Sequence, residues 1–334
     1  MNEGPRMNLP KKNDEAALEE YKKQHLEDFM EYTKKSKSPN SIRAYKFAWT
    51  KFSDWCSGSG YNLLFPPAES FELLIGLFIA SMAKSKNLKP ASLTTYLAGI
   101  KHFYSEKNIR VDTKHEEIRK AMAGIRRELG TKQNRKLPLT TDNIKLLIDS
   151  IGRIVKPIES RDKAIILIGF AGAFRRSELV GIDHEHLEFG SGGVSIFIPS
   201  SKTDQEGAGR FVDIPFSGSE TYCPVRAIQA WIMCSKSSSG PVFRSITKGG
   251  RIKDKRLGDR DIAYMLKKYC KPFGFSDQIA GHSLRAGHVT SSIKMGTPET
   301  WIMRQTGHTS VDTLRKYERL QREFEANSAA KIGL

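Results

Sequence analysis

The sequence predicts a mainly α-helical protein of two domains, with one small β-sheet confined to the second. Three observations carry that expectation. Apolar residues recur at helical spacing from Glu15 to about Glu128, with no strand signal. A basic, polar stretch, Gly130 to Pro138, then interrupts the period and reads as a linker. Alternating apolar runs occur only beyond it, at Val194, Ile196 and Ile198 and again at Phe211 and Ile214. At 334 residues the chain exceeds what one compact core usually fills. A hydrophobic content of 39%, with 17 Phe and 10 Tyr, suffices for two cores.

The elements follow in order. Residues 1–14 are polar, carry no secretory signal, and are expected to be a flexible lead-in. The first domain is expected over 15–129. Leu18, Tyr21, His25, Phe29 and Tyr32 mark its first helix. Ser38-Pro39-Asn40-Ser41 is a start signal for a second, which runs through Tyr45, Trp49 and Phe52 to Trp55 and stops at Gly58 and Gly60. Phe71 to Ala83 is apolar but too short to span a bilayer, and reads as a buried helix. A fourth helix opens at Pro90, and a fifth covers Ile118 to Leu129. The linker spans 130–138, and the second domain 139–334. Thr141-Asp142-Asn143 reads as a helix cap before Ile144 and Leu147, and Ala164 to Ala173 as an apolar helix that delivers Arg175. The alternating runs form a hairpin whose turn lies in Ser200 to Gly209, and helices return at Pro224 to Met233 and Arg260 to Cys270.

Charge narrows the partner. The chain carries 54 Lys and Arg against 37 Asp and Glu, a net charge of +17, which favours a polyanion. No membrane partner is expected. Cys56, Cys223, Cys234 and Cys270 are widely spaced, which fits neither a zinc site nor a disulfide framework. They are expected to be reduced and structural, in a cytosolic setting.

Four segments of the second half carry residues suited to phosphate chemistry. They are Arg175 to Leu179, His282-Ser283-Leu284-Arg285, Gly307-His308, and Tyr317. Attack on a phosphodiester builds negative charge on its non-bridging oxygens, and arginine, planar and always protonated, matches two such oxygens at once. The His-x-x-Arg spacing places His282 and Arg285 on one helix face. Arg176 beside Arg175 is an internal control, because one of the two should face away. Glu178, one turn beyond Arg175, can orient an arginine or a histidine. Thr297-Pro298-Glu299 starts a helix, Gly307 ends it, and His308 follows, nine residues before Tyr317. A tyrosine hydroxyl is a weak nucleophile unless a base or nearby cations help remove its proton.

In order and spacing these residues resemble the tyrosine recombinases, the family of phage integrases and Xer- and Cre-like enzymes. Arg175-x-Ser177-Glu178-Leu179 is similar to their first arginine box, His282-Ser-Leu-Arg285 to their His-x-x-Arg, and Gly307-His308 with Tyr317 to their Gly-His box and nucleophile. The resemblance implies a helical core-binding domain and a mixed α/β catalytic domain that clamp DNA. It implies that Tyr317 forms a 3′-phosphotyrosyl link, that Arg175 and Arg285 clamp the scissile phosphate, that His282 handles the nucleophile's proton, and that His308 hydrogen-bonds a phosphate oxygen. It also implies a hairpin lysine as acid for the 5′-oxygen. Lys202 is the match, with Lys248 and Lys253 as rivals. One departure is Ala173-Phe174, where the family often has Gly-Leu or Gly-Met. No metal, ATP or other cofactor is expected, since the phosphotyrosyl bond conserves the energy of the broken one.

The implied partner is double-stranded DNA with an inverted-repeat site, bound by a homotetramer across two sites, with a Holliday junction between the two strand exchanges. Expected DNA contacts are Arg43 and Lys46 on the second helix, Lys89 and Lys101 on the fourth, Arg135 and Lys136 in the linker, and the basic run Arg244, Lys248, Arg251, Lys253, Lys255, Arg256 and Arg260. Residues after Tyr317, including Leu320, Phe324 and Ile332, suit a tail helix that docks on a neighbouring subunit or packs in cis. Two other readings share the pattern: a type IB topoisomerase, and a catalytically silent DNA-binding regulator.

Overall fold

The structure is a computed structural model that describes residues 15–64, 70–86, 88–131, 136–152, 156–199, 208–312 and 314. The chain divides into two compact units, Met1–Gln133 and Asn134–Leu334. The lead-in 1–14, Arg135, Lys202, Tyr317 and the tail after it lie outside the described residues.

Among the described residues, the first unit holds five helices: α1 (Glu15–Lys35), α2 (Pro39–Gly58), α3 (Phe71–Lys86), α4 (Pro90–Glu106) and α5 (Glu116–Leu129). Ser38 caps α2 as its sequence suggests, with its hydroxyl accepting from the Ser41 N–H at 3.2 Å and Pro39 in the first turn. The core is aromatic. Phe52, Phe78 and Tyr104 are fully buried, with Trp49, Trp55 and Phe71 packed around them. Polar tips find partners at its edge: the Tyr104 hydroxyl donates to the Leu63 carbonyl at 2.8 Å, and the Trp55 indole to Ser81 Oγ at 3.0 Å. Gly99 lets α4 approach α2, because a β-carbon there would lie 2.8 Å from Ala48 Cβ. α1 is a helix, as its spacing predicts, and its Leu26, Phe29, Met30 and Tyr32 are exposed. Helical periodicity identified the helix without identifying what its apolar side packs on.

The second unit is built on α7 (Pro157–Ala171), whose Ala164 to Gly169 segment is buried on all sides. Packed with it are α6 (Thr141–Ile151), α8 (Arg176–Val180), α9 (Pro224–Ser235), α10 (Asp259–Cys270), α11 (Ser283–Lys294) and α12 (Glu299–Thr306). An antiparallel sheet in the order β1 (Leu187–Gly190), β2 (Gly193–Ile198), β3 (Arg210–Pro215) covers one side, and β4 (Arg244–Ile246) pairs with β5 (Ile252–Arg256) as a separate ribbon. Val194, Ile196 and Ile198 with Val212 and Ile214 supply the sheet's buried face. β1, β4 and β5 were not expected. Their side chains are mostly exposed or half-buried, so no apolar alternation marks them.

Two caps also differ from the sequence reading. Thr140, not Thr141, caps α6, because the Asn143 side chain reaches back to its N–H at 3.1 Å. Pro298, not Thr297, is the N-cap of α12. All four cysteines are free. Cys56, Cys223 and Cys270 are buried, whereas Cys234 is exposed and has no packing role. Where α11 passes beneath the linker's end, Leu139 donates its N–H to the Ser283 carbonyl at 2.9 Å, and Gly287 leaves room for the Leu139 carbonyl. No helix among the described residues is long and apolar enough to cross a membrane.

Candidate active site

Arg175 is delivered by a sharp turn after α7. Ala173 there is buried with φ of 49°, in the left-handed region that favours glycine. The turn makes Arg175 the N-cap of α8. Its N–H donates to Glu178 Oε2 at 2.9 Å, and Nη1 donates to Glu178 Oε1 at 2.6 Å. The Glu178 side chain is 2% exposed, so one buried carboxylate grips Arg175 at backbone and guanidinium together. Arg176 points elsewhere, towards Asp259 at 4.0 Å, and packs over Gly281.

His282 and Arg285 sit at the start of α11. His282 is its N-cap, and Arg285, in the first turn, is 1% exposed and donates Nη1 to the Ala173 carbonyl at 2.8 Å. That bond draws the His-x-x-Arg segment onto the turn before Arg175. His308 follows the left-handed Gly307 that ends α12. The Thr306 hydroxyl donates to the Ile302 carbonyl at 2.7 Å and lies 2.9 Å from His308 Nδ1. With the hydroxyl proton engaged, Nδ1 carries the hydrogen of that pair, and a neutral His308 keeps its accepting lone pair on Nε2.

Burial, then the charges of Arg285 and Arg175, together with His282 and Arg210, hold His308 down at about 4. His282 is also held below its ordinary value, first by the protein packed around it and then by Arg285, Arg175 and Arg176. The charges of Arg285 and Arg175 thus act on both imidazoles, and the Arg285 bond to the Ala173 carbonyl holds the two arginine-bearing segments together. Arg210, at the start of β3, joins them, with Nη2 3.5 Å from Glu178 Oε2. The sequence reading missed it. The signal was present, since Arg210 shares a strand face with Val212 and Ile214 and places a charge in line with buried apolar positions.

Lys202 and Tyr317 lie outside the described residues, as does Arg135. Of the expected DNA contacts, Arg43, Lys46, Lys89 and Lys101 are exposed on the first unit. On the second, Lys248, Arg251, Lys253, Lys255 and Arg260 are exposed, and Lys136 donates to the Asp277 carbonyl at 2.8 Å. Arg244 and Arg256 differ. Arg244 bonds Asp254 at 2.5 Å and the carbonyls of Pro241 and Ser239, while Arg256 bonds Asp183 at 2.6 Å and the Val180 carbonyl. Both hold the ribbon in place, a use that a count of basic residues does not reveal. Among the described residues, no cluster of three His, Cys, Asp or Glu is placed to hold a metal ion.

Two guanidiniums on one buried carboxylate, a third bonded to the turn beside them, and two imidazoles that feel their charge define a site for an oxyanion such as phosphate. A family profile described as the phage integrase family matches residues 138–323. An integrase/recombinase xerD homolog from Selenomonas ruminantium is 37% identical over 300 residues, 89% of this chain and 86% of that one. The tyrosine recombinase XerA of Pyrococcus horikoshii is 25% identical over 321 residues, 92% and 93% of the two chains. Among solved structures, XerH bound to palindromic difH substrate aligns with a TM-score of 0.63 at 16% identity, covering 87% of this chain and 79% of that one. The Tn1549 transposon integrase in complex with transposon right-end DNA also gives 0.63 at 16% identity, covering 90% and 95%. The chain belongs to the phage integrase family of tyrosine recombinases.

Proposed function

We propose that this chain cuts and rejoins double-stranded DNA at a specific inverted-repeat site through a 3′-phosphotyrosyl intermediate. Tyr317 Oη attacks the scissile phosphorus, the bond to the 5′-oxygen breaks, and Lys202 protonates the departing 5′-oxygen to give a 5′-hydroxyl. His282, kept neutral by its surroundings, takes the tyrosine proton. Arg175 and Arg285 hold the non-bridging oxygens. His308 donates to one of them once its Nε2 is protonated, a state that the arriving phosphate anion favours. The 5′-hydroxyl of a second duplex then reverses the step. Two such exchanges in a tetramer on two sites pass through a Holliday junction, and the tail beyond Tyr317 docks between subunits. Bond energy is conserved throughout, so neither ATP nor metal is consumed.

The observation that carries this reading is the convergence of three segments: Glu178 holds Arg175, Arg285 beside His282 bonds the Ala173 carbonyl, and His308 feels the charge of both arginines. The first unit would be the core-binding domain. Arg43, Lys46, Lys89, Lys101, Lys248, Arg251, Lys253, Lys255 and Arg260 supply exposed charge for backbone contacts.

The test is covalent capture. Wild type and Tyr317→Phe are incubated with sheared genomic DNA of the source organism in chelator, quenched in detergent, and the protein-linked DNA is sequenced. Adducts in wild type alone, enriched at one inverted repeat, are expected. Adducts without sequence preference would indicate a topoisomerase, and DNA binding with no adduct a silent regulator. An adduct persisting in Tyr317→Phe would refute the nucleophile.

A further inference from the structure

The site contains one arginine that the phosphate chemistry above does not use. Arg210 opens β3 and pairs with Ile198 at the base of the β2–β3 hairpin. Its side chain is 18% exposed and points with Val212 and Ile214 towards the core side of the sheet. A guanidinium placed there must find partners. Nη1 donates to the Gln305 carbonyl at 3.0 Å, two residues before Gly307. Nη2 lies 3.5 Å from Glu178 Oε2, the oxygen that also accepts from the Arg175 N–H. Nε is buried with no hydrogen-bond partner among the described residues, and it lies 2.9 Å from where a β-carbon on Gly307 would be.

These contacts close a circuit. Gln305 Nε2 donates to the Ala171 carbonyl at 2.9 Å, at the end of the helix that delivers Arg175. Arg210 therefore ties the hairpin to the His308 turn through Gln305, and to Arg175 through Glu178. We propose that Arg210 is a positioning residue for DNA strand cleavage: its planar guanidinium locks the Gly307-His308 turn, the Glu178–Arg175 pair and the start of β3 into one geometry. The inference rests on the recombinase reading above. Arginine suits the task because one rigid fork reaches a carbonyl and a carboxylate at once, whereas lysine offers a single point charge. The buried Nε without a partner has a cost that an ordinary surface arginine would avoid, and such costs persist where geometry matters.

The experiment uses the full chain and sheared genomic DNA of the source organism. It compares wild type, Arg210→Lys and Arg210→Gln in the single-turnover rate of adduct formation and in DNA affinity by filter binding, with melting curves for all three. Arg210→Gln is expected to form adducts about 100-fold more slowly, the scale of loss when catalytic groups are displaced by about 1 Å, while DNA affinity stays within about threefold. Arg210→Lys, which keeps the charge and the apolar stem, is expected to recover part of the loss and cleave about 10-fold below wild type. If Arg210→Gln does not fold, Arg210→Lys decides by the same split between slowed cleavage and retained affinity. Wild-type cleavage by either folded variant would overturn the role, as would a parallel loss of affinity and rate. Failure of wild type to form any adduct would remove the recombinase reading, and this role with it.

Discussion

Glu178 holds the site together, and replacing it by glutamine isolates its charge from its shape. Its carboxylate accepts from Arg175 Nη1 at 2.6 Å and from the Arg175 N–H at 2.9 Å, and it faces Arg210 Nη2 at 3.5 Å, all with the side chain 2% exposed. Glutamine keeps one acceptor but turns an NH₂ group towards donors. Removing one partner of a buried ion pair costs about 3–5 kcal/mol, and the retained acceptor places Glu178→Gln near the lower end, at about 3 kcal/mol. A unit the size of Asn134–Leu334 loses about 2–4 °C per kcal/mol, so its melting point should fall by about 6–12 °C. The assay is a thermal melt of the full chain at pH 7, followed by circular dichroism, with adduct formation measured below the transition. Adduct formation should fall more steeply than the folded fraction, because Arg175 loses the group that aims it. A melting point within about 1 °C of wild type would refute the view that this carboxylate is the buried anchor of two arginines.

Four further outcomes are expected. His288 and His308 are both held at about 4 by burial, against 6.5 when unfolded, so each is neutral in the native state and stability is complete above about pH 6.5 and declines as pH falls towards 4. The well-buried His288 costs about 2 kcal/mol between pH 7 and 5 by this linkage and the more exposed His308 less, and His288→Gln should flatten the pH dependence by about 2 kcal/mol in urea titrations; an unchanged slope would count against it. Gly287→Ala should destabilise the second unit by about 1–3 kcal/mol by pushing the Leu139 carbonyl off α11, and a neutral result would mean that this backbone contact is loose. Substituting Lys253 and Lys255 together by alanine should reduce the salt slope of DNA binding by about 1.8 with little change in melting. Arg244→Ala should instead lower melting, since it breaks the Asp254 pair and two carbonyl bonds; the opposite pattern would overturn the separation of DNA-facing from ribbon-holding residues.

What could be read from the chain by itself was whatever local chemistry dictates. Helices announced themselves through apolar spacing and caps such as Ser38 with Pro39, and β2 and β3 through alternation, because period and capping depend on neighbours a few residues apart. The candidate residues Arg175, His282, Arg285 and His308 stood out for a different reason: phosphate chemistry needs those side-chain types, and all four fall within the stretch that the family profile matches. Pairings between distant segments were not legible. Nothing local distinguishes Arg244, bound to Asp254, from the exposed Lys253, or shows that the apolar side of α1 is exposed. Polar ribbons such as β4 and β5 are defined by their partner strand rather than by their composition. Arg210 became part of the site only when β3 was placed beside α8 and the end of α12, so that one guanidinium could reach both Glu178 and the Gln305 carbonyl. Sequence thus determined which groups are available and which helices present them, while tertiary structure decided which charges face one another, because a charge pair depends on distance through space rather than along the chain.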